Sequence, residues 1–460
     1  MSGGWRRPRV LVVVLLGSML VACGGATVSP SNSPPPSAVL PASEPAPSVP
    51  STPSAVEAAP GSDSSVYAPN PGAIVVAIDA GHGGCLDWGV PDPTERGVEL
   101  AEKSLNLEIA RNLRERLTGQ GIGAVMIRDG DDALAGDNSP AFGCDGPPWR
   151  DVNGDGLAGF SADLPEATRT RDELQARLDL ANLAGADALI SIHINSPTDG
   201  GQVIEIAFSE TFYTDETPWG VESSARLAEL VQAGVVERVG ALATYERGDR
   251  GITAHNFYLV APPLFEVTNE RPDPLAQPTR GALMPVVLAE VGSISLRAEH
   301  DLLASPEGQA AVADGLLDGL AAFFSARELA ARIGLADAAI GVAPPAVDGH
   351  GPPFWAPPAP EGVLRLRVTN TGTADWPSGA RLVAGWEVSD QPYLYVAPEN
   401  LEPIGEPMPA MAPGDSVELD VQLAQAPGSE RSLAWISLSV GNDLMADHGS
   451  PALQLASQAP

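Results

Sequence analysis

Two histidines and a glutamate stand where apolar runs end. His82 lies in Asp79-Ala80-Gly81-His82-Gly83-Gly84, directly after the run IVVAI at 74–78. His193 closes Ser191-Ile192-His193, and Glu290 sits in Leu288-Ala289-Glu290-Val291-Gly292. Open α/β sheets place their working crevice at the carboxyl ends of strands, so all three side chains are directed to one crevice. Glu102, at the start of a helical repeat, borders the same edge. Two imidazoles and one carboxylate suit zinc, with a fourth position left for water. Such an ion lowers the pKa of its water to about 7 and polarises a carbonyl. A further carboxylate that does not ligate the ion can carry the proton to a leaving amine. Glycines around His82 let backbone approach ion and substrate closely. The competing reading is ordinary: a lone histidine is usually structural, and a strand-end glutamate is usually solvated. Glu290 resists that reading, because a carboxylate inside an apolar strand is costly to bury without a purpose.

The elements that must position these groups alternate in period. Apolar runs at 74–78, 124–127, 188–192, 203–208, 257–260 and 286–291 predict strands. Leu105, Ile109, Leu113 and Leu117 repeat every four residues and predict a helix. Further helices are predicted around Leu174, Leu178 and Ala181, around Ala228, Val231, Val235 and Val239, and over 310–324. The pattern implies an α/β fold, a mixed sheet flanked by helices, over residues 73–333. Residues 334–361 are rich in Pro, Ala and Gly and read as a linker. VLRLRVTNTG, ARLVAGWEV, SVELDVQL and AWISLSV then predict an all-β sandwich over 362–457.

Residues 1–23 resemble an export signal: Arg6, Arg7 and Arg9 precede an apolar run from Val10 to Ala22 that is short for a membrane span. It ends in Leu20-Val21-Ala22-Cys23, which resembles a lipobox and implies lipid attachment at Cys23. Residues 24–72 are rich in Pro, Ser and Ala and are expected to form a disordered tether. The protein is therefore expected outside the cytoplasm, anchored to a membrane. A formal net charge of −33 argues against nucleic acid, which is bound by basic surfaces. It is the balance of a solvated acidic surface. Cys85 and Cys144 either pair in an oxidising compartment or remain free thiols. Asp151-Val152-Asn153-Gly154-Asp155-Gly156-Leu157 resembles the first half of a calcium loop, with oxygen ligands at Asp151, Asn153, Asp155 and the Leu157 carbonyl. The closing acid is expected at 162, which is Ala162, and Asp163 stands one residue late. An Asp/Asn/Gly turn without an ion is the alternative.

Residues 73–326 resemble the zinc-dependent N-acetylmuramoyl-L-alanine amidases of the Amidase_3 type. The matching stretches run in the family's order: DAGHGG at 79–84, EKSLNLEIARNL at 102–113, RLDLANLAGADALISIHIN at 177–195, DRGI at 249–252, FYLV at 257–260 and MPVVLAEVGSIS at 284–295. The resemblance implies His82, Glu102 and His193 as zinc ligands, Glu290 as the catalytic carboxylate, Asn195 as a nearby polar support, and peptidoglycan as substrate. The chain departs from the pattern in a longer gap between His82 and Glu102, where Glu95 and Glu99 are rival ligands. Insertions at 129–168 and 261–283 are expected to rim the cleft. Two other readings stay open: a zinc hydrolase of this fold acting on another amide, and a non-catalytic lipoprotein that binds the cell wall. NTGTADWP at 370–377, with Trp386 and Trp435, resembles the immunoglobulin-like, tryptophan-bearing domain of Next-to-BRCA1-type proteins. Trp386 and Trp435 are expected in the core of that module.

Overall fold

The computed structural model describes residues 74–84, 87–91, 97–135, 152, 165–260, 281–336, 362–388, 397–426 and 432–456. Cys23, Cys85, Cys144, Glu95, the whole of 1–73, and the loop residues Asp151, Asn153, Asp155, Leu157 and Asp163 lie outside the described residues. Within them, no helix is long and apolar enough to cross a membrane.

The first part of the chain builds a six-stranded sheet. In chain order its elements are β1 (Val75–Ala80), α1 (Glu102–Gly119), β2 (Gly123–Met126), α2 (Pro165–Leu183), β3 (Ala188–Asn195), β4 (Ala207–Tyr213), α3 (Ala225–Gly240), β5 (Arg247–Ala254), β6 (Val286–Ser293), α4 (Arg297–Leu303) and α5 (Pro306–Ala326). The strand order is β2-β1-β3-β6-β4-β5. Pairs β1/β2, β1/β3, β3/β6 and β4/β5 are parallel, and β4/β6 is antiparallel. The sheet is mixed, as its sequence implied.

Side chains alternate across a strand, and the two cores follow that alternation. Val76 and Ile78 of β1, Ile190 and Ile192 of β3, and Val287, Ala289 and Val291 of β6 share one core with α1, α3 and α5. Val75, Ala77, Leu189, Val286 and Leu288 face the other way, toward Leu178 of α2. Asp79, Ser191, His193 and Glu290 continue this second parity toward the carboxyl ends, so the polar cluster is the upper edge of an apolar face.

Two expectations about strands fail. The strand expected at 203–208 is β4, displaced to Ala207–Tyr213. Residues 257–260 form a turn, with Val260 N–H donating to the Phe257 carbonyl at 2.9 Å. Leu259 and Val260 are buried, and an apolar run of that length does not distinguish a buried turn from a strand. The strand itself is β5, polar and at the sheet edge, with no apolar run to announce it.

Beyond α5 the chain forms β7 (Ala331–Leu335), β8 (Val363–Asn370), β9 (Arg381–Val388), β10 (Glu402–Ile404), β11 (Ser416–Gln422), β12 (Ser432–Val440), β13 (Asp443–Leu444) and β14 (Leu453–Ala456). One sheet has order β11-β8-β7; the other has order β10-β9-β12-β13, with β14 also on β12. Leu364, Leu366 and Val368 of the first share a core with Leu382, Ile436 and Leu438 of the second, and Trp376 is buried among them. Trp435 is fully buried, and Trp386 packs against the shared core. β7 spans the sequence boundary at 333/334 and pairs antiparallel with β8.

Helices α3 and α5 meet backbone to backbone. A Cβ on Gly315 would stand 2.6 Å from the Gly234 carbonyl oxygen, and one on Gly319 would stand 2.6 Å from the Val231 Cα. Alanine favours a helix over glycine by about 1 kcal/mol, but overpacking costs about 1–3 kcal/mol, and here the obstacle is backbone that cannot rotate away. Gly315→Ala is therefore expected to destabilise the fold by up to about 2 kcal/mol net, read as a lower midpoint in denaturant unfolding.

Candidate metal centre

His82, Glu102 and His193 converge. One ligand atom from each lies within 4.8 Å of the other two. Glu102 Oε1 is 3.1 Å from His82 Nε2 and 3.2 Å from His193 Nδ1. The imidazole centroids are 4.7 Å apart, edge to face. Glu99, one of the rival ligands, sits on a 3-10 turn over Val98–Leu100 and is exposed; the cluster takes Glu102.

Each side chain is placed by local structure. Glu102 is the first residue of α1, where the helix dipole favours an anion. Its backbone N–H donates to the Val90 carbonyl at 2.9 Å. Its carboxylate accepts from Val90 N–H at 2.8 Å on Oε2 and from Ile194 N–H at 3.0 Å on Oε1. Buried Asn106, one turn along the helix, reaches the same Oε1. His193 and Glu290 are register partners on β3 and β6, and Glu290 is in turn opposite Glu210 on β4. Glycine is required where the backbone passes the cluster. A Cβ on Gly81 would stand 2.4 Å from the His193 ring, and one on Gly89 would stand 2.4 Å from Glu102 Oε2.

His82 has φ 63°, the one positive value for a non-glycine among the described residues. That conformation costs about 1–2 kcal/mol, so something must hold it. Three cations do. The Ala80 carbonyl accepts from Arg128 Nε at 2.7 Å and Arg177 Nη1 at 2.9 Å. The Gly81 carbonyl accepts from Arg128 Nη2 at 3.1 Å, His82's from Arg177 Nη2 at 2.7 Å, and Gly84's from Lys103 Nζ at 2.7 Å. Two of the cations are neutralised in place: Arg177 by Asp79 at 2.7 Å and Glu173 at 2.8 Å, Lys103 by Asp131 at 2.7 Å.

The charges favour a cation at the centre. Burial alone would raise the Glu102 carboxyl, but the charge of His82 and hydrogen bonds from both imidazoles hold it well below the usual range. Burial alone would depress His82, but Glu102 and Asp87 lift it well above 6.5. The field that retains a proton on His82 Nε2 suits a metal ion in the same place. His82 Nδ1 donates to Asp87 Oδ1 at 2.7 Å, the outer carboxylate that fixes tautomer and ring orientation at metal-binding histidines. Glu290 is different. Burial, then the charges of Glu102 and Glu210, push it well above the carboxylate range against an opposing pull from His82. Its Oε2 is buried and has no hydrogen-bond partner.

These observations fit a divalent ion held by two imidazoles and one carboxylate, with Glu290 beside it and not bonded to the cluster. A family model described as Amidase_3, N-acetylmuramoyl-L-alanine amidase, matches residues 76–322, more than half of the 460 residues. The chain belongs to this amidase family. An uncharacterized protein of Bacillus subtilis, YqiI, is 25% identical over 249 residues, covering 54% of this chain and 84% of that protein. The germination-specific N-acetylmuramoyl-L-alanine amidase of the same bacterium is 25% identical over 261 residues, covering 55% and 80%. Among solved structures, the N-acetylmuramoyl-L-alanine amidase of Clostridium difficile 630 is 25% identical. The match covers 55% of this chain and 98% of that one, with a TM-score of 0.37. All six quoted stretches fall inside the matched region; β7 to β14 fall outside it.

The sequence named the three residues that converge but not their supports. Lys103, Asn106 and Arg177 lie inside quoted stretches, yet nothing in their spacing marks them as loop anchors. Asp87, Arg128 and Glu210 carry no sequence signal at all. Asn195 sits at a β3 irregularity, where its backbone carbonyl accepts from Ile294 N–H at 2.9 Å. Among the described residues no hydrogen bond ties its side chain to the cluster.

Removing the Asp87 carboxylate is expected to weaken divalent-metal affinity about 10- to 100-fold, checked by chelator competition on Asp87→Ala. Removing Arg177 leaves Asp79 buried and uncompensated, so Arg177→Ala should cost about 3–5 kcal/mol of stability, measured by denaturant unfolding. The acid limb follows the same pair. Burial would raise Asp79, but Arg177 and Ser191 hold it below its ordinary 3.8. A depressed carboxylate contributes stability above the unfolded value and loses it as pH falls through the folded one. Its contribution is therefore expected intact at pH 5 and lost progressively below about pH 4, in unfolding curves compared with Asp79→Asn.

Proposed function

We infer that this protein is a cell-wall hydrolase that cleaves the amide between N-acetylmuramic acid and L-alanine in peptidoglycan, using zinc held by His82, Glu102 and His193. The observation that carries the chemistry is a cluster of three metal-ligating side chains with a half-buried carboxylate on the adjacent strand, one oxygen of which is buried without a partner. A bound zinc ion would supply water of pKa about 7 and polarise the scissile carbonyl.

The chain's own residues do the rest. Asp87 keeps Nε2 of His82 turned to the centre, and Val90 N–H, Ile194 N–H and Asn106 orient the Glu102 carboxylate. Glu290 stands across His193 in register. A bound cation would lower its raised pKa, because opposite charge favours the ionised form. It then takes the proton of the attacking water and delivers it to the departing alanine nitrogen. Glu210, opposite Glu290, adds negative charge that favours the protonated form of Glu290 between the two transfers.

The N-terminal segments support a setting. The basic start, the apolar run and Leu20-Val21-Ala22-Cys23 suit export and lipidation at Cys23. The Pro/Ser-rich 24–72 would then let an anchored enzyme reach the wall. The two C-terminal sheets with their shared tryptophan-bearing core suit an immunoglobulin-like module of the Next-to-BRCA1 type.

Glu290→Gln is expected to retain the metal and lose about 10²- to 10⁴-fold in kcat, whereas His82→Ala loses both metal and activity. Metal analysis of the purified variants, with mass spectrometry of digested peptidoglycan, checks this. Retained activity in Glu290→Gln refutes the assigned proton carrier, and release of anything but free stem peptides refutes the bond.

A further inference from the structure

We propose that Arg250 receives the first free carboxylate of the stem peptide, the α-carboxylate of the γ-linked glutamate that follows L-alanine, and so selects wall in which that group is not amidated. This rests on the reaction proposed above.

The sheet lays four side chains in one row. His193 on β3 is the register partner of Glu290 on β6, and Glu290 is opposite Glu210 on β4. Residues paired in this way project from the same face of a sheet. Arg250, on β5, extends the row: its Nη1 is 3.7 Å from Glu210 Oε2. A local defect aims it there. Between β4 and β5 the register slips, so that Asp249 partners Ser209 while Ile252 partners Thr211. Three steps along β5 answer two along β4, and the extra residue forms a bulge, a device that redirects a side chain. Gly251 makes the turn at φ 71°, its N–H donating to Asp249 Oδ1 at 2.8 Å. Asp249 itself accepts from Gln232 of α3 at 2.7 Å, on the opposite face.

The guanidinium is held but not consumed. Its carbon lies 3.5 Å from the centroid of the Phe208 ring, close enough that the group must lie flat on the ring. Stacking uses the face of a guanidinium and leaves the N–H donors of its edge available. Among the described residues its acidic partner is Glu210, at a distance longer than a hydrogen bond. Glu210 Oε1 is in turn taken by the Thr253 hydroxyl at 2.8 Å. The Arg250 side chain is 43% exposed. Its position suits the reaction. The scissile nitrogen must meet Glu290, which carries its proton, so the bonds beyond that nitrogen run away from His193 toward β4. In an extended chain the carboxyl carbon of the second residue lies about 6 Å from that nitrogen, and neighbouring strands are about 5 Å apart. A carboxylate there reaches β4, where the Arg250 fork can grip both oxygens. An amide in its place offers the fork one acceptor and no charge.

The test uses two disaccharide-tetrapeptides that differ in one group, a free α-carboxylate or an α-carboxamide on the γ-linked glutamate. The wild type is expected to favour the acid form about tenfold in kcat/KM. Arg250→Ala should abolish that preference by slowing cleavage of the acid form, and Arg250→Glu should reverse it, with metal content unchanged in both. Arg250→Lys should restore part of the preference, as a point charge without the fork. A wild type that cleaves both forms equally or favours the amide, or an Arg250→Ala variant that keeps the preference, overturns the carboxylate site alone. A wild type that releases stem peptide from neither form overturns the reaction as well.

Discussion

The centre depends on one constraint: a loop of glycines and a histidine must turn left-handed at His82 and stay there. The carbonyls of Ala80, Gly81, His82 and Gly84 point away from the cluster and are taken by Arg128, Arg177 and Lys103. Unfilled, these acceptors would cost about 1–3 kcal/mol each when buried. Filled by cationic donors, they offset the strain at His82 and aim its ring. The cluster is thus the visible half of a two-sided loop, with imidazoles on one side and guanidinium groups on the other.

That division explains why so acidic a chain buries cations. Arginine stays charged in low dielectric and presents a rigid fork of donors, so Arg177 can serve two carbonyls and two carboxylates at once. Arg128, depressed to about 10 by burial and by Arg177, is still protonated at neutral pH. Asp79, Glu173 and Asp131 then balance the cations within the domain, leaving the field at the centre to Glu102 and Asp87.

Much of this was legible in the sequence, for identifiable reasons. Buried strands such as β1, β3 and β6 are apolar on both faces, and their polar interruptions at Asp79, His193 and Glu290 mark the edge where burial stops. The order of motifs then narrowed the chemistry. What stayed hidden was what periodicity does not encode. β5 is polar because it is an edge, and 257–260 is apolar because it is a covered turn. Glu99 and Glu102 differ by one helical register, which only the placed N-terminus of α1 resolves. Arg128 and Arg177 read as ordinary helix and strand-end charges until the loop they hold is in place.

β7 carries a consequence for how this chain can be divided. It follows α5 after four residues, with Arg332 bonded to Asp187, whose carboxylate also accepts from the first N–H of β1 at 2.8 Å. It pairs with β8 beyond a stretch of Pro and Ala, and Leu433 and Ala456 close the apolar face beneath Leu283 and Met284. A truncation after residue 336 would strip β7 of its neighbour and bare that face. The excised fragment would offer an unpaired strand edge beside exposed leucine and methionine, the combination that drives self-association. The hydrolase half has been built to be made together with its companion.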